Sequence, residues 1–156
     1  MHKILVAFLF SIFLVPGIAA QADDVTAPIH QFLDGFNTGN TKSAYAAYAA
    51  GNISITDEFA PHLWTGPDAA RAWAAEYDKH AKATGVTDGT VKYGEPTRKQ
   101  IEGNLAYVVV PTVYDYKEHG KATQEEGQMT FVLRRASKGW KISSWTWTGV
   151  NPHPAK

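Results

Sequence analysis

Residues 104–148 read NLAYVVVPTVYDYKEHGKATQEEGQMTFVLRRASKGWKISSWTWT. Apolar and polar positions alternate here with a period near two, over Asn104–Tyr116, Ala122–Arg135 and Trp140–Thr148. His119-Gly120-Lys121 and Ser137-Lys138-Gly139 lie between these runs and read as turns. Long strands joined by turns this short are antiparallel neighbours. Pro111 has no N–H to give a ladder, so a bulge or a locally unpaired edge is expected there. In the last run Ile142 is assigned to one face, and Trp145 and Trp147 to the other. Upstream, Val86–Lys99 reads as one further strand, irregular near Gly94 and Pro96.

Before Gly85 the period is helical. Ile29, Phe32, Leu33 and Phe36 fall at i, i+3, i+4 and i+7, behind Thr26 as N-cap and Pro28 in the first turn. Gly39-Asn40 ends that helix. A second, alanine-rich helix is expected from about Thr41 to Ala50, with Tyr45 and Tyr48 near one face. Ile53–Thr56 alternates as a short strand, and residues 57–66 read as a polar and aromatic loop. A third helix is expected from Pro67, capped by Thr65 or Gly66, with Ala70, Trp73, Ala74 and Tyr77 as its buried stripe. The fold class is therefore α+β: three N-terminal helices packed on a strongly curved, mainly antiparallel sheet. A doubly wound sheet would alternate helix with strand, and an all-β barrel would leave three helices over.

The first residues have their own logic. A basic start at Lys3, an apolar run from Ile4 to Val15, a break at Pro16-Gly17 and the small-x-small set Ala20-Gln21-Ala22 match a cleaved signal peptide over residues 1–22. The run is too short to span a bilayer comfortably. The expected product is a secreted or periplasmic domain over residues 23–150 with a flexible tail at 151–156. The 156-residue chain balances 15 basic against 15 acidic residues, and losing Lys3 leaves 14 against 15. Nothing in that balance steers the protein to nucleic acid or, after cleavage, to a membrane. There is no cysteine, so stability rests on packing.

Several segments together carry a resemblance: Phe32-x-x-x-Phe36-Asn37-x-Gly39-Asn40, Ile55-Thr56-Asp57, Trp64-x-Gly66 and Gly139-Trp140-Lys141-Ile142-x-x-Trp145. Over about residues 26–148 the chain resembles the SnoaL-like branch of the nuclear-transport-factor-2-like (NTF2-like) superfamily. The resemblance implies a cone, in which a curved sheet wraps a long helix and the mouth is a pocket. It implies no single function, since the family contains steroid isomerases, polyketide cyclases, dehydratases and members without known activity.

Asp57 is the sharpest catalytic candidate. It follows a strand directly, and the matching carboxylate of the steroid isomerases is similar in position to their proton-shuttling base. The competing role is a loop cap on backbone N–H groups. In those isomerases a helix tyrosine and a protonated late-strand aspartate complete an oxyanion hole. The helix position matches Phe32, which has no hydroxyl, and the strand position falls near Gly127–Met129, where no carboxylate stands. Glu125 and Glu126 are assigned nearer the turn. Steroid isomerisation of the known kind is therefore not expected. His62, five residues past Asp57, is the candidate partner for acid–base work. Phe32, Phe36, Tyr48, Trp64, Trp73, Tyr77, Tyr107, Gln128 and Trp145 are the candidate ligand-binding residues, as lining or as hydrogen-bond donors. No cofactor and no metal site are expected, because no ligand spacing or phosphate loop is present. Three functions stay open: a binder of a small apolar ligand in the cone, a proton-transfer or lyase-type enzyme using Asp57 and His62, and a protein-interaction module. A homodimer through the outer sheet face is expected.

Overall fold

The computed structural model describes residues 24–155, so the signal peptide expected at residues 1–22 lies outside the described residues. Helix α1 (Ala27–Asn37) buries Ile29, Phe32 and Leu33, the stripe expected from its spacing. Asp24 Oδ1 accepts from both the Thr26 backbone N–H (2.9 Å) and the Thr26 hydroxyl (2.7 Å), and Val25 is buried in the core. The chain is thus already anchored ahead of α1. Helix α2 (Thr41–Ala46) is shorter than its alanine content suggests. The backbone leaves it to join the sheet: Ala49 N–H donates to Ile142 O, and Ile142 N–H donates to Ala47 O.

Strand β1 (Ile53–Thr56) pairs antiparallel with β2 (Leu63–Gly66), so the expected loop at 57–66 is a hairpin connection plus a strand. Trp64, opposite Ile55, turns into the core. Helix α3 (Ala69–Thr84) starts after Asp68, later than expected, and ends at Gly85 in the left-handed conformation, φ 69°. It buries Ala69, Ala70 and Trp73.

The stretch from Val86 divides into β3 (Val86–Tyr93) and β4 (Arg98–Glu102), both antiparallel to β5 (Leu105–Glu118). Pro111 stays in β5 opposite Gln128 of β6 (Lys121–Ala136). Its other side faces the break between β3 and β4, where its carbonyl accepts from Gly94 N–H and no N–H is needed. Strand β7 (Gly139–Gly149) completes the meander, and β1 lies parallel to it. The sheet order is β2-β1-β7-β6-β5-β3, with β4 on β5 and β8 (His153–Pro154) on β6. The tail expected to be flexible therefore docks at 153–154, helped by His153 Nε2 against Glu126 Oε2 at 2.6 Å.

The curved, unclosed sheet and its few helices make the α+β cone expected. Ser143 is an extra residue in β7 against Val132–Leu133, and its hydroxyl donates to Val132 O. The bulge re-phases the strand, so Ile142 and Trp145 both point inward, where opposite faces were expected. Phe131, Ile29, Leu33, Ile55 and Leu133 join them as fully buried side chains. Among the described residues, no helix is long and apolar enough to cross a membrane.

Candidate functional site

Alternation places the first carboxylate. Ile53 and Ile55 of β1 point into the core, so Asp57, two residues on, leaves the strand on the same side. There Trp73 of α3 donates its indole N–H to Asp57 Oδ2 at 2.8 Å, and the Glu58 backbone N–H donates to Oδ1 at 2.8 Å. Burial is the largest influence on this carboxyl and raises its pKa above the usual range, while the two donors pull it back.

The same logic runs along β6. Met129, Phe131 and Leu133 are buried on the inner face, and Glu125 is in phase with them at 3% exposure. The Tyr116 hydroxyl donates to Glu125 Oε1 at 2.8 Å. Oε2 has no donor. Glu58 comes to the same place from the rim. Desolvation first, then the meeting with the Glu125 carboxyl, push Glu58 up to about 8. Glu58 keeps access to solvent, so water tempers this shift, but two carboxyls in contact fix its direction. As carboxylates neither can donate; the contact needs a shared proton. The Trp147 indole N–H favours the charged form of Glu58 by proximity, but reaches hydrogen-bond geometry with no acceptor.

The three carboxyls converge on one cavity of about 100 Å³ between the inner sheet face and helices α1 and α3. Phe32 and Phe36 wall it from α1, Trp73 and Tyr77 from α3, and Trp145 and Trp147 from β7. Tyr77 and Tyr114 share a 2.5 Å hydroxyl–hydroxyl hydrogen bond at its side. Burial raises the pKa of Tyr77, Tyr114 and Tyr116, so all three are neutral donors at physiological pH. His80, stacked on Phe59, stands at the rim. Among the described residues, no group of three or more His, Cys, Asp or Glu side chains is placed to hold a metal ion.

Of the residues singled out from sequence, Phe32, Phe36, Asp57, Trp73, Tyr77 and Trp145 line this cavity. Five do not. His62 sits in the turn between β1 and β2 with φ 71°, exposed, its Nδ1 3.2 Å from the backbone oxygen of Asp57 and not from its carboxylate. Tyr107 is on the outer sheet face under Arg98, because Ala106 and Val108 take the inner positions. Gln128 alternates outward between Gly127 and the inward Met129. Trp64 is core, packed on Phe59. Tyr48 accepts from the Trp145 indole at 2.7 Å behind the cavity wall and lines the groove between α1 and α3 instead. The residues missed are Glu58, Glu125, His80, Tyr114 and Tyr116. Phase in β6 was the available signal for Glu125; the buried run Val108–Val110 hides the phase of β5 for Tyr114 and Tyr116, and no signal existed for Glu58 or His80.

Comparison with known proteins adds a frame to this geometry. No curated protein matches the chain in sequence. A solved ketosteroid isomerase-like protein from Erwinia carotovora atroseptica superposes with a TM-score of 0.62 at 20% identity, covering 89% of this chain and 100% of that one. A hexachlorocyclohexane dehydrochlorinase from Novosphingobium barchaimii superposes with a TM-score of 0.67 at 13% identity, covering 83% and 88%. At such identities the likeness is one of fold. The family model described as a SnoaL-like domain matches residues 25–147, which holds all the elements that build the cavity, and the chain belongs to that family.

Proposed function

We propose that this protein binds a small, ring-sized ligand in the cone and moves a proton on it. The observation that carries this reading is the convergence of Asp57, Glu58 and Glu125 on one aromatic cavity. Carboxyls withdrawn from water without a cation beside them cost stability, and such perturbed groups cluster at functional sites. Asp57, held by Trp73 and the Glu58 N–H, is the base: a ligand C–H or N–H bond breaks and its proton passes to a carboxylate oxygen. Glu58, protonated through its contact with Glu125, is the acid that returns a proton at a second ligand atom. The result is an isomerisation. Exchange of the proton from Asp57 back to Glu58 resets the site, and the total count is unchanged. The part first assigned to His62 thus passes to the glutamate pair.

The test needs no known substrate. Ring-sized compounds with an exchangeable C–H beside a carbonyl or iminium group, in cationic, neutral and anionic forms, are incubated with the protein in D₂O. Deuterium incorporation is followed by NMR. Asp57→Asn is expected to slow incorporation about a hundredfold or more. Incorporation that is the same in wild type and variant would sink the proposal.

Two further elements belong to this reading. The protein is exported and cleaved after Ala22, supported by the layout of residues 1–22. Two copies meet through the outer face of β5, supported by Leu105 at 57% and Tyr107 at 38% exposure on that face.

A further inference from the structure

We propose that the groove between α1 and α3 is a second ligand site, fitted to an elongated carboxylic acid with its apolar body on the groove floor and its carboxylate at Arg71. The inference goes beyond the cavity and does not depend on the proton transfer proposed there.

The sequence makes the groove by setting small residues where three helices meet. Gly35 lets α2 close onto α1, since a Cβ there would stand 2.7 Å from the Ala44 backbone nitrogen. Helix α3 approaches neither of them as closely. It lines the gap with Ala70, Ala74 and Ala81, and the space left is about 510 Å³, against about 100 Å³ in the cavity. That volume lies in the range of small-molecule sites. From Ala70 to Ala81 helix α3 rises about 16 Å, so the groove is elongated along the helix.

The floor is the far side of the aromatic wall. Phe32, Phe36, Trp73 and Tyr77 border both spaces. Ring centroids lie 6.0 Å apart for Phe36 and Trp73, 5.5 Å for Phe36 and Tyr77, and 6.2 Å for Phe32 and Trp73, so the rings form one continuous layer. An alkyl or aryl body laid on this layer leaves water for apolar surface.

The charges at the two ends decide the head group. At one end the Arg71 guanidinium lies over the Tyr45 ring, 4.4 Å from its centroid. Arg71, Tyr45 and Lys42 also line an adjoining recess that contains no acidic side chain. Among the described residues neither Arg71 nor Lys42 is in an ion pair, whereas Lys79, Lys92 and Lys117 each are. Arg71 is thus oriented by a ring, and its planar N–H fork is open to a carboxylate. Asp78 and Asp88 stand at the other end. Lys117 holds Asp88 at 2.9 Å, and Asp78 is exposed, seven residues or about 10 Å along α3 from Arg71. A ligand carboxylate at that end would meet like charge. The two ends therefore fix the direction of the ligand, head at Arg71 and tail toward Ala81.

Octanoate, octanol and octylammonium share one tail and differ in head. Binding to the full chain is read by NMR on the methyls of Ala44, Ala70 and Ala74, which line the groove and not the cavity, and of Met129, which lines the cavity and not the groove. Octanoate is expected to shift the three alanines well beyond Met129 and to bind about fivefold tighter than octanol, with octylammonium weakest. Arg71→Gln, at an exposed position, is expected to bring octanoate to the affinity of octanol and leave octanol unchanged. Octanol or octylammonium binding as tightly as octanoate overturns the carboxylate, and so does a preference for octanoate that survives Arg71→Gln. Larger shifts at Met129 than at the alanines give the ligand to the cavity and overturn the groove. No binding of any probe at about 1 mM overturns it as well.

Discussion

Replacing Trp73 by phenylalanine keeps a ring in the core and removes one N–H. The wild-type indole is 7% exposed, sits edge-on to Trp145 and stacks on Tyr77. Its N–H reaches Asp57 Oδ2 at 2.8 Å. A hydrogen bond to a charged group contributes about 1.5–3 kcal/mol. The smaller ring leaves part of its space unfilled, at roughly 1 kcal/mol. Trp73→Phe should therefore cost about 3 kcal/mol in urea unfolding near neutral pH. The loss carries a signature beyond its size. The lost donor favoured the ionised carboxylate, so the already raised Asp57 pKa rises further. A raised folded pKa means stability that is present at low pH and lost as pH rises through that pKa. The penalty of Trp73→Phe should accordingly be larger at pH 8 than at pH 4. A cost below about 1 kcal/mol, or one that is equal at the two pH values, would refute the assignment of this bond to the site.

Three other outcomes follow from the same geometry. Glu58 titrates at about 8 in the fold against an ordinary 4.5, so stability should fall as pH rises across that window. Glu125→Gln removes the partner carboxylate and should flatten the fall in thermal melts. Gly35→Ala would set a Cβ 2.7 Å from the Ala44 backbone nitrogen, where α1 meets α2, and should destabilise by about 1–3 kcal/mol in urea melts. Tyr107→Arg should leave the monomer folded and turn a dimeric wild type into a monomer in sedimentation; a wild type that is monomeric at high micromolar concentration would contradict the proposed pairing.

Much of the fold was legible because its period was clean. The α1 stripe at Ile29, Phe32 and Leu33 and the turns at Gly120 and Gly139 carried their own signals. What could not be read has local causes. Ser143 adds one residue to β7 and moves Trp145 to the side of Ile142, and no pattern announces an insertion of one. In β5, Val108, Val109 and Val110 are all buried, so the run conceals the phase that sends Tyr107 out and Tyr116 in. Asp57 was found because it follows the short strand directly, where the resemblance implies a carboxylate. Its partner was assigned to His62 by proximity along the chain, whereas a positive-φ turn points that ring to solvent. Glu125 was assigned nearer the turn, although the strand was expected from Ala122. The strand begins at Lys121, and the glutamate lies two steps inside the same face as Met129.

The central claim is that an acid and a base stand side by side in one aromatic cavity near neutral pH. Carbon-13 NMR titration of the Asp and Glu side-chain carboxyls, with Asp57, Glu58 and Glu125 assigned by substitution, tests it without any ligand. The account predicts that Glu58 releases its proton near 8, that Asp57 titrates above its ordinary 3.8, and that Glu58 moves toward 4.5 in Glu125→Gln. Titration of both Asp57 and Glu58 at or below their ordinary values, unchanged by Glu125→Gln, would contradict it.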